Sequence, residues 1–475
     1  MPPARRILPL IIASALFMEN MDSTIIATSL PAIAADLGTN PIVLKLAFTT
    51  YLLSLTVFIP ISGWMADRFG ARHVFRVAIA VFTLGSIACG LATSLGGLVA
   101  ARGLQGIGGA MMVPVGRIIL LRAIPKSELV DALAWLTVPA LLGPLIGPPV
   151  GGFITDTFGW RWVFLMNVPF GVVAIALATV LMPDTGVERV PPLDVKGLAL
   201  SGLGLSSLIF GFTVLGRDLL PRYLPLAMMA FGALMTWLYF GHARKAAAPI
   251  LDLKLLKVPT FRAGVMGGSL FRLGVGAVPF LLPLMLQLGF GFTAFQSGAI
   301  SCAAAAGAIS IKFGISRIIR YFGFRRLLLV NGLLASLSIA AMGLITGATP
   351  YLVMAGLLFA GGFLRSLQFT AMNAISYSDM ENEQMSYATS VYTVAQQLSL
   401  SAGVVLAAFV LEAAQAWRGD LNLQPADFTI AFFTVAVFSA TSLWQFRDLS
   451  VDAGASVSGR VARSHADVKP PGRDV

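Results

Sequence analysis

The feature that most constrains this chain is an apolar stretch near its start that carries two carboxylates. Residues 7–31 have the sequence ILPLIIASALFMENMDSTIIATSLP, with Glu19 and Asp22 inside it. A membrane-spanning helix needs about 20 apolar residues, so this stretch is long enough to cross a bilayer. An ionised side chain near the bilayer centre is costly unless it faces a bundle interior or a wet cavity. The stretch is therefore predicted to be a spanning helix whose acidic side points into a bundle.

Two interpretations of these acids stay open. Glu19 and Asp22 are three residues apart, which puts both on one side of a helix. Two neighbouring carboxylates in a poorly solvated place favour proton binding by one of them, so the pair is a candidate proton carrier. The alternative is that one or both are permanently paired with a buried arginine as a packing device.

The composition of the whole chain indicates a polytopic membrane protein. Of its 475 residues, 57% are hydrophobic and only 12% are charged, which is more apolar surface than a soluble fold can bury. The start of the chain resembles a signal peptide, but its apolar run is too long and contains both acids, so we expect it to remain as the first helix. Cys89 and Cys302 fall in predicted spans, which argues against a disulfide framework or a thiolate metal site.

Hydropathy and loop signals predict an all-α fold with about fourteen transmembrane helices. The predicted spans are 7–30, 44–64, 74–94, 97–121, 130–155, 161–182, 195–215, 223–242, 261–287, 294–316, 324–346, 351–374, 388–412 and 428–446. Twelve of them divide into two six-helix halves with a cavity between them, an arrangement found in many transporters. The predicted divisions are an N-terminal half over 1–182, a linker with two extra helices over 183–250, a C-terminal half over 251–449 and a cytoplasmic disordered tail over 450–475.

The net charge of +11 is explained by membrane topology. When the 33 lysines and arginines are assigned to loops, most of them fall on the side that holds both termini. The opposite side holds only Lys45, Arg161, Arg217, Arg222 and Arg418. Because cytoplasmic loops carry an excess of positive charge, both termini are predicted to be cytoplasmic. Nucleic acid is not expected as a partner.

A short charged loop follows the second predicted helix. It has the sequence GWMADRFGARHVF over 63–75, and its candidate gating residues are Gly63, Asp67, Arg68, Gly70 and Arg72. The glycines allow a tight turn and close backbone approach, and the charges can change partners when the halves move. A similar loop in the second half has the sequence ISRIIRYFGFRRLL over 315–328, with Arg320 in place of Asp67. Topology alone explains the arginines but not the glycine spacing.

The fourth predicted helix contains ARGLQGIGGAMMVP over 101–114, with an arginine at the depth of the acids. At ~1.5 Å per residue, Asp22 lies ~22 Å from one face of a ~30 Å core and Arg102 lies ~8 Å from the other. The two side chains therefore meet at a similar depth, and an interaction between them is allowed. Tight pairing opposes protonation of Asp22, so a proton switch needs the pair to loosen in one state.

The fifth predicted helix has a repeating glycine and proline pattern, PALLGPLIGPPVGG over 139–152. Its candidate functional residues are Gly143, Pro144, Gly147, Gly151 and Gly152. Glycines at every fourth position form a flat face for close helix packing, and prolines bend the helix. Such a seam can seal the path between the halves, although for an isolated glycine stripe ordinary membrane packing is the better explanation.

Polar residues inside other spans are candidates to line a substrate cavity. They are Gln105, Arg272, Arg365, Gln368, Asn373 and Gln396. Buried arginines in membranes usually serve a site, whereas helix-to-helix hydrogen bonding is an equally good explanation of the amides. The spans contain no H-E-x-x-H or G-x-S-x-G motif, and the chain has no nucleotide-binding G-x-x-x-x-G-K-[ST] loop. We therefore expect neither an enzyme nor an ATP-driven pump, and no cofactor or metal.

Taken together, these segments resemble the major facilitator superfamily, specifically its fourteen-helix drug:proton antiporter branch of EmrB/QacA type. MDSTIIATSLP is similar to the helix-1 motif of that branch, and GWMADRFGAR is similar to the superfamily's loop motif between helices 2 and 3. ARGLQG and GPLIGPPVGG are similar to its helix-4 and helix-5 motifs. FLRSLQFTAMN and PFLLPLMLQLGFG look closest to the HsrA/MdtD-type permeases.

The resemblance implies alternating access by rigid-body movement of the halves, with Asp22 and Arg102 as candidate proton-coupling residues. Glu19 is a further candidate because it lies one helical turn from Asp22. It implies proton-coupled export of amphipathic small molecules or drugs across the bacterial cytoplasmic membrane. The expected partners are a small-molecule substrate, protons and the lipid bilayer, for a monomer with or without accessory export proteins. Two alternatives stay open: a transporter for an organic-anion metabolite held by Arg272 and Arg365, and a non-transporting membrane sensor.

Overall fold

The computed structural model describes residues 3–124, 129–183, 186–187, 192–214, 221, 223–246, 249–381, 384–419 and 422–455. Over these residues the chain is helical and contains no strand. The predicted tail over 450–475 lies outside the described residues from 456 onward, and the predicted linker over 183–250 is described only in part. Residues 450–455 form turns, and Gly454 is buried against Phe324 and Ile375.

The first half is built from the helices that precede the linker. They are α1 (Pro3–Asp36), α2 (Lys45–Phe58), α3 (Ser62–Phe69), α4 (Ala71–Gly90), α5 (Leu95–Ala123), α6 (Leu129–Phe158), α7 (Arg161–Leu165) and α8 (Asn167–Leu181). A 3₁₀ turn over Ile59–Ile61, which contains Pro60, joins α2 to α3, so the two form one broken span. In the same way, α7 and α8 share one crossing over Arg161–Leu181.

Two antiparallel helices, α9 (Val195–Val214) and α10 (Tyr223–Lys245), follow the first half and form the predicted extra pair. The second half contains α11 (Pro259–Arg262), α12 (Gly268–Leu284), α13 (Ala294–Ser310), α14 (Ile315–Phe322), α15 (Phe324–Met342), α16 (Tyr351–Tyr377), α17 (Met385–Arg418), α18 (Pro425–Ala440) and α19 (Ser442–Arg447). The succession of crossings places the start of α1 and the end of α19 at the same end of the bundle. We call it the proximal end and the opposite one the distal end.

The number of spans is close to the prediction. Within the described ranges, twelve helical segments are long and apolar enough to cross a membrane. Two further helices, α6 and α13, lie where the sequence predicts spans over 130–155 and 294–316. The prediction of about fourteen transmembrane helices in an all-α bundle is therefore consistent with the structure.

The apolar core is shared between the halves at one end only. At the distal end a single cluster of buried side chains takes members from α1, α2, α12, α17 and α18. Towards the proximal end the first half and the second half each have a cluster of their own. The buried apolar clusters of the halves are therefore merged distally and distinct proximally, which places the wider separation between the halves on the proximal side.

Candidate functional site

A buried polar cluster joins α1 to two other helices of the first half. The Asp22 carboxylate accepts a hydrogen bond from Arg102 Nη1 at 2.7 Å. It also accepts hydrogen bonds from Gln105 Nε2 and Asn167 Nδ2, each at 2.8 Å. The side chains of Asp22 and Arg102 are 0% and 1% exposed. The Asp22–Arg102 contact, which the similar depths of the two residues allowed, is therefore present. Hydrogen-bond donors on α5 and α8 enclose the Asp22 carboxylate.

The rest of the cluster fixes the arginine. Arg102 Nη1 also donates to Gln105 Oε1 at 2.6 Å, and the guanidinium carbon lies 4.4 Å from the centre of the Tyr51 ring. Gln105 Nε2 donates to the Ser86 hydroxyl at 2.7 Å. Gln105 was predicted to line a substrate cavity, but it is fully buried here. Its hydrogen bonds make it part of the Asp22–Arg102 cluster.

Glu19 lies one helical turn before Asp22 and is placed differently. Its side chain is partly exposed, and its Oε2 atom is buried without a hydrogen-bond partner among the described residues. The charged or titratable groups that act on it are Asp22 on its own helix, Arg117 on α5 and Tyr51 on α2. Arg117 is exposed and also acts on Tyr377 of the second half. Glu19 therefore borders the space between the halves, close to the exposed Arg117.

Two members of this region were not among the predicted site residues. Asn167 lies in the segment GWRWVFLMNVPFG over 159–171, in which no site residue was predicted. Arg117 lies inside the span predicted over 97–121, for which Arg102 and Gln105 were the predicted polar site residues. An amide or arginine inside an apolar run was the available signal for both, since such groups rarely face lipid.

The charged loop between α3 and α4 is held within the first half. Asp67 Oδ1 lies 2.7 Å from Arg122 Nη2 at the end of α5, and both side chains are about a quarter exposed, 27% and 28%. Arg72 donates through Nη2 to the Thr179 carbonyl of α8. Gly70 has φ of 85°, a left-handed conformation that favours glycine, and separates the two helices. The pairs seen here do not cross between the halves.

Gly63 does not behave as expected. We expected it to allow close backbone approach, but a Cβ atom at this position would meet no heavy atom within 4 Å. That expectation is wrong, because this side of α3 faces open space. Arg68 at the end of α3 is exposed. The corresponding glycine of the second half, Gly323, lies between α14 and α15 and is also left-handed, with φ of 72°.

The glycine pattern of α6 serves two different contacts. A Cβ at Gly143 would lie 3.0 Å from the Met21 nitrogen, and Gly147 and Gly151 face Thr24 and Ile25. This stripe packs α6 against α1 inside the first half. Pro144 lies beside the stripe and is partly exposed.

Gly152 lies on another face of α6 and contacts the second half. A Cβ there would be 2.5 Å from the backbone carbon of Ala294, and a Cβ at Gly298 would be 2.5 Å from that of Pro148. Since real Cβ atoms are not found so close to backbone atoms, α6 and α13 approach as they do only because both positions are glycine. The contact between the halves thus depends on Gly152 and Gly298, and the other glycines of α6 pack against α1.

Polar contacts close the same distal end. The Lys45 ammonium lies 2.7 Å from the Glu412 carboxylate, and Lys45 is only 2% exposed. The Phe295 amide donates to Asp156 Oδ2 at 2.8 Å. Each of these contacts joins the first half to the second. The distal path between the halves is therefore shut in this conformation.

The second half contains two buried arginines without a carboxylate partner among the described residues. Arg272 is 0% exposed and donates through Nη2 to the Tyr392 hydroxyl. Its Nε and Nη1 atoms have no hydrogen-bond partner in the part of the chain that the structure describes. Its guanidinium carbon lies 4.6 Å from the centre of the Tyr392 ring and 5.0 Å from that of Phe369. Arg365 is 9% exposed, and its Nη1 has no partner. The electrostatic neighbours of Arg272 are tyrosines, not acids.

The remaining predicted cavity residues do not join these arginines in one site. Gln368 accepts from Asn331 Nδ2 at 2.9 Å and donates to the Leu328 carbonyl at 3.0 Å, so it connects α16 to α15. Asn373 is exposed and Gln396 is partly exposed. The six predicted cavity residues are therefore distributed over at least three different environments.

A family model and several known proteins match most of this chain. Residues 12–404 match the family model described as Major Facilitator Superfamily. The chain is 37% identical over 407 residues to "Putative multidrug resistance protein MdtD" of Cronobacter sakazakii, covering 85% of each chain. It is 34% identical over 452 residues to the protein of that name in Yersinia enterocolitica, covering 94% and 95%.

Two solved structures share the fold. The POT family transporter PepTSo superposes with a TM-score of 0.70 at 13% identity, over 94% of this chain and 97% of that one. The D-xylose-proton symporter superposes with a TM-score of 0.67 at 14% identity, over 94% and 98%. At such low identity the likeness concerns the fold alone.

Proposed function

Because the chain belongs to the Major Facilitator Superfamily, we propose that it is a proton-coupled antiporter that exports amphipathic small molecules. It is a multi-pass membrane transporter, and its relatives bear the name of multidrug resistance proteins. The observation that carries the proposal is Glu19, an acid with an unpaired buried oxygen at the border of the space between the halves.

We assign the proximal end to the cytoplasm of a bacterial cell. The support is the distribution of lysine and arginine, most of which fall on the side of the termini. With that assignment the conformation is open inwards and shut outwards by α6, α13 and the Lys45–Glu412 pair. A substrate would then enter from the cytoplasm or the inner leaflet, which is the loading state of an exporter.

We assign different roles to the two acids of α1. Asp22 accepts three hydrogen bonds, one of them from Arg102, so a proton that binds there must displace a donor. Glu19 has a free acceptor atom and borders the opening, so it can take up a proton without breaking a contact. Asp22 therefore positions Arg102 and α1, and Glu19 carries the exchanged proton.

Arg117 is the group that would couple this proton to the substrate. It is exposed on α5 and acts on both Glu19 and Tyr377, which belong to different halves. An unprotonated Glu19 attracts the guanidinium, and a protonated one does not. Movement of the halves changes the distance between Arg117 and Tyr377, so the protonation of Glu19 and the conformation influence each other.

A second candidate is export or import of an organic anion. It is favoured by Arg272 and Arg365, two buried cations for which the described residues provide no carboxylate. Such a charge inside a membrane protein is costly and is commonly kept for a ligand. The two candidates differ in the charge of the substrate but share the same proton site.

The test uses proteoliposomes loaded with a pH-sensitive dye and a proton gradient. A lipophilic cation and an aryl sulfonate of similar size are added separately to wild type, Glu19→Gln, Glu19→Asp and Arg117→Gln. We expect the cation to dissipate the gradient in wild type, Glu19→Gln to abolish this response, and Glu19→Asp to restore part of it. Unchanged proton movement in Glu19→Gln overturns the role of Glu19. A response to the sulfonate only replaces the first candidate with the second.

A further inference from the structure

The pair α9 and α10 forms a groove at the proximal end that the transport function does not use. The groove encloses a cavity of about 650 Å³ between the start of α9 and the end of α10. Its walls contain Lys196 from α9 and Arg244 and Lys245 from α10. All three side chains are exposed, and none forms an ion pair with another described residue.

The acid nearest to these cations in the chain is already engaged. Asp194 Oδ1 lies 2.7 Å from His242 Nε2 and accepts a hydrogen bond from the Gly197 amide at 2.8 Å. It therefore fixes the ends of the two helices together. Among the described residues, three cations line the cavity beside this one acid, so the groove keeps a net positive charge and attracts an anion.

The other walls of the groove are apolar and face outwards. Trp237 is 69% exposed and Phe240 is 47% exposed, and Leu238 lies between them in the chain. Only 17% of the apolar stretch of α10 is buried within the protein, which is the lowest value among the candidate spans of the described chain. This face of α10 is therefore turned to lipid acyl chains, directly beside the cations.

We propose that the groove is a binding site for an anionic phospholipid of the leaflet at the proximal end. The phosphate would lie among Lys196, Arg244 and Lys245, and the acyl chains would lie along Trp237 and Phe240. Basic pockets between transmembrane helices are suited to lipid headgroups because they offer charge and apolar surface together. A soluble anion would use the charges but would gain nothing from the exposed apolar wall.

The position of the helix pair gives such a lipid a consequence for transport. α9 contacts both halves: Gly202 packs beside Val57 of α2, and the Phe212 ring lies 6.0 Å from that of Phe409 on α17. α10 is tied to the segment before the second half, since the Tyr239 hydroxyl donates to the Leu251 carbonyl at 2.9 Å. A lipid that anchors the pair therefore acts at the seam along which the halves move.

The experiment measures lipid retention by the purified full-length protein in native mass spectrometry. Phosphatidylglycerol, phosphatidylethanolamine and glycerol 3-phosphate are titrated separately. The test variant is the triple Lys196→Gln, Arg244→Gln, Lys245→Gln. The matched control is the triple Lys254→Gln, Lys257→Gln, Arg262→Gln, which removes three exposed cations at the same end that do not line the cavity.

We expect the test variant to bind phosphatidylglycerol about tenfold more weakly than wild type and the control to change by less than about twofold. Equal losses in both triples, or binding of glycerol 3-phosphate as tight as that of phosphatidylglycerol, would overturn the proposal. A phosphatidylglycerol with a photoreactive acyl chain is also bound to wild type, which avoids any effect of the variants on folding. It should label the peptide that contains Trp237 and Phe240, and labelling elsewhere only would contradict the site.

Discussion

The Nζ atom of Lys45 lies 2.7 Å from Oε1 of Glu412, and this ion pair connects α2 of the first half to α17 of the second. Lys45 is 2% exposed and Glu412 is 16% exposed, so both charges are largely removed from water. Loss of one partner removes the opposite charge that this pair places beside the other, which is more costly for a buried pair than for a surface pair. The pair therefore favours the conformation in which the distal end is shut.

Substitution of this pair is expected to shift the protein towards a conformation that is open at the distal end. In Glu412→Gln, Lys45 loses the negative charge of this pair, so its free energy falls when it returns to water. The distal ends of α2 and α17 are then expected to separate more often. The distance between spin labels on the two distal surfaces should lengthen in a larger fraction of molecules. Arg161→Gln is the control, because Arg161 and Asp36 form a more exposed pair within the first half. An equal shift in both variants would contradict the role of the Lys45–Glu412 pair.

Asp22→Asn should destabilise the first half. The substitution leaves the Arg102 guanidinium, 1% exposed, without a counter-charge, and such a loss costs about 3–5 kcal/mol for a buried pair. We expect a lower Tm in detergent than for wild type.

The double variant Asp22→Asn with Arg102→Gln provides the check on this explanation. It removes both charges, so its Tm should lie above that of Asp22→Asn alone. A Tm equal to or below that of the single variant would show that the charge of Arg102 is not the cause.

Gly298→Val should prevent distal closure without unfolding either half. Its Cβ would lie 2.5 Å from the Pro148 backbone carbon across the contact between α6 and α13. Transport should be lost, and a distal cysteine probe should react faster. Gly356→Val on α16 is the matched control, because a Cβ there meets no heavy atom within 4 Å. Normal transport by Gly298→Val would show that this glycine contact is not needed.

The two most buried arginines should respond in opposite directions to the same substitution. Arg272→Met removes a charge that has no carboxylate partner in the described chain, so we expect stabilisation of about 2 kcal/mol and a higher Tm. Arg102→Met leaves Asp22 unpaired and should lower the Tm. If Arg272→Met lowers the Tm as well, Arg272 has a stabilising partner that its contacts with Tyr392 and Phe369 do not account for.

Asp67→Asn should lower the transport rate with little change in stability. The Asp67–Arg122 pair is about a quarter exposed, so its loss is expected to change the free energy of unfolding by less than about 1 kcal/mol. If the loop acts as a gate, the transport rate should fall while the Tm stays close to that of wild type. A fall in both would indicate that the pair only stabilises the first half.

The sequence by itself determined which segments cross the membrane and how deep their polar groups lie. Backbone groups in lipid must be satisfied within a helix, so each long apolar run has one available structure. The rise of ~1.5 Å per helical residue then fixes the depth of each side chain in the membrane. For this reason Asp22 and Arg102 were expected at a similar depth, and they are found in contact.

Only the tertiary structure decided which neighbour each polar group or glycine meets. Depth along a helix does not fix the direction in which a side chain points relative to the other helices. For this reason Gln105 was assigned to a cavity but lies against Asp22, and Asn167 was missed although it donates to the same carboxylate. Gly151 and Gly152 are adjacent in the chain, yet one packs within the first half and the other against the second, because successive helical residues point about 100° apart.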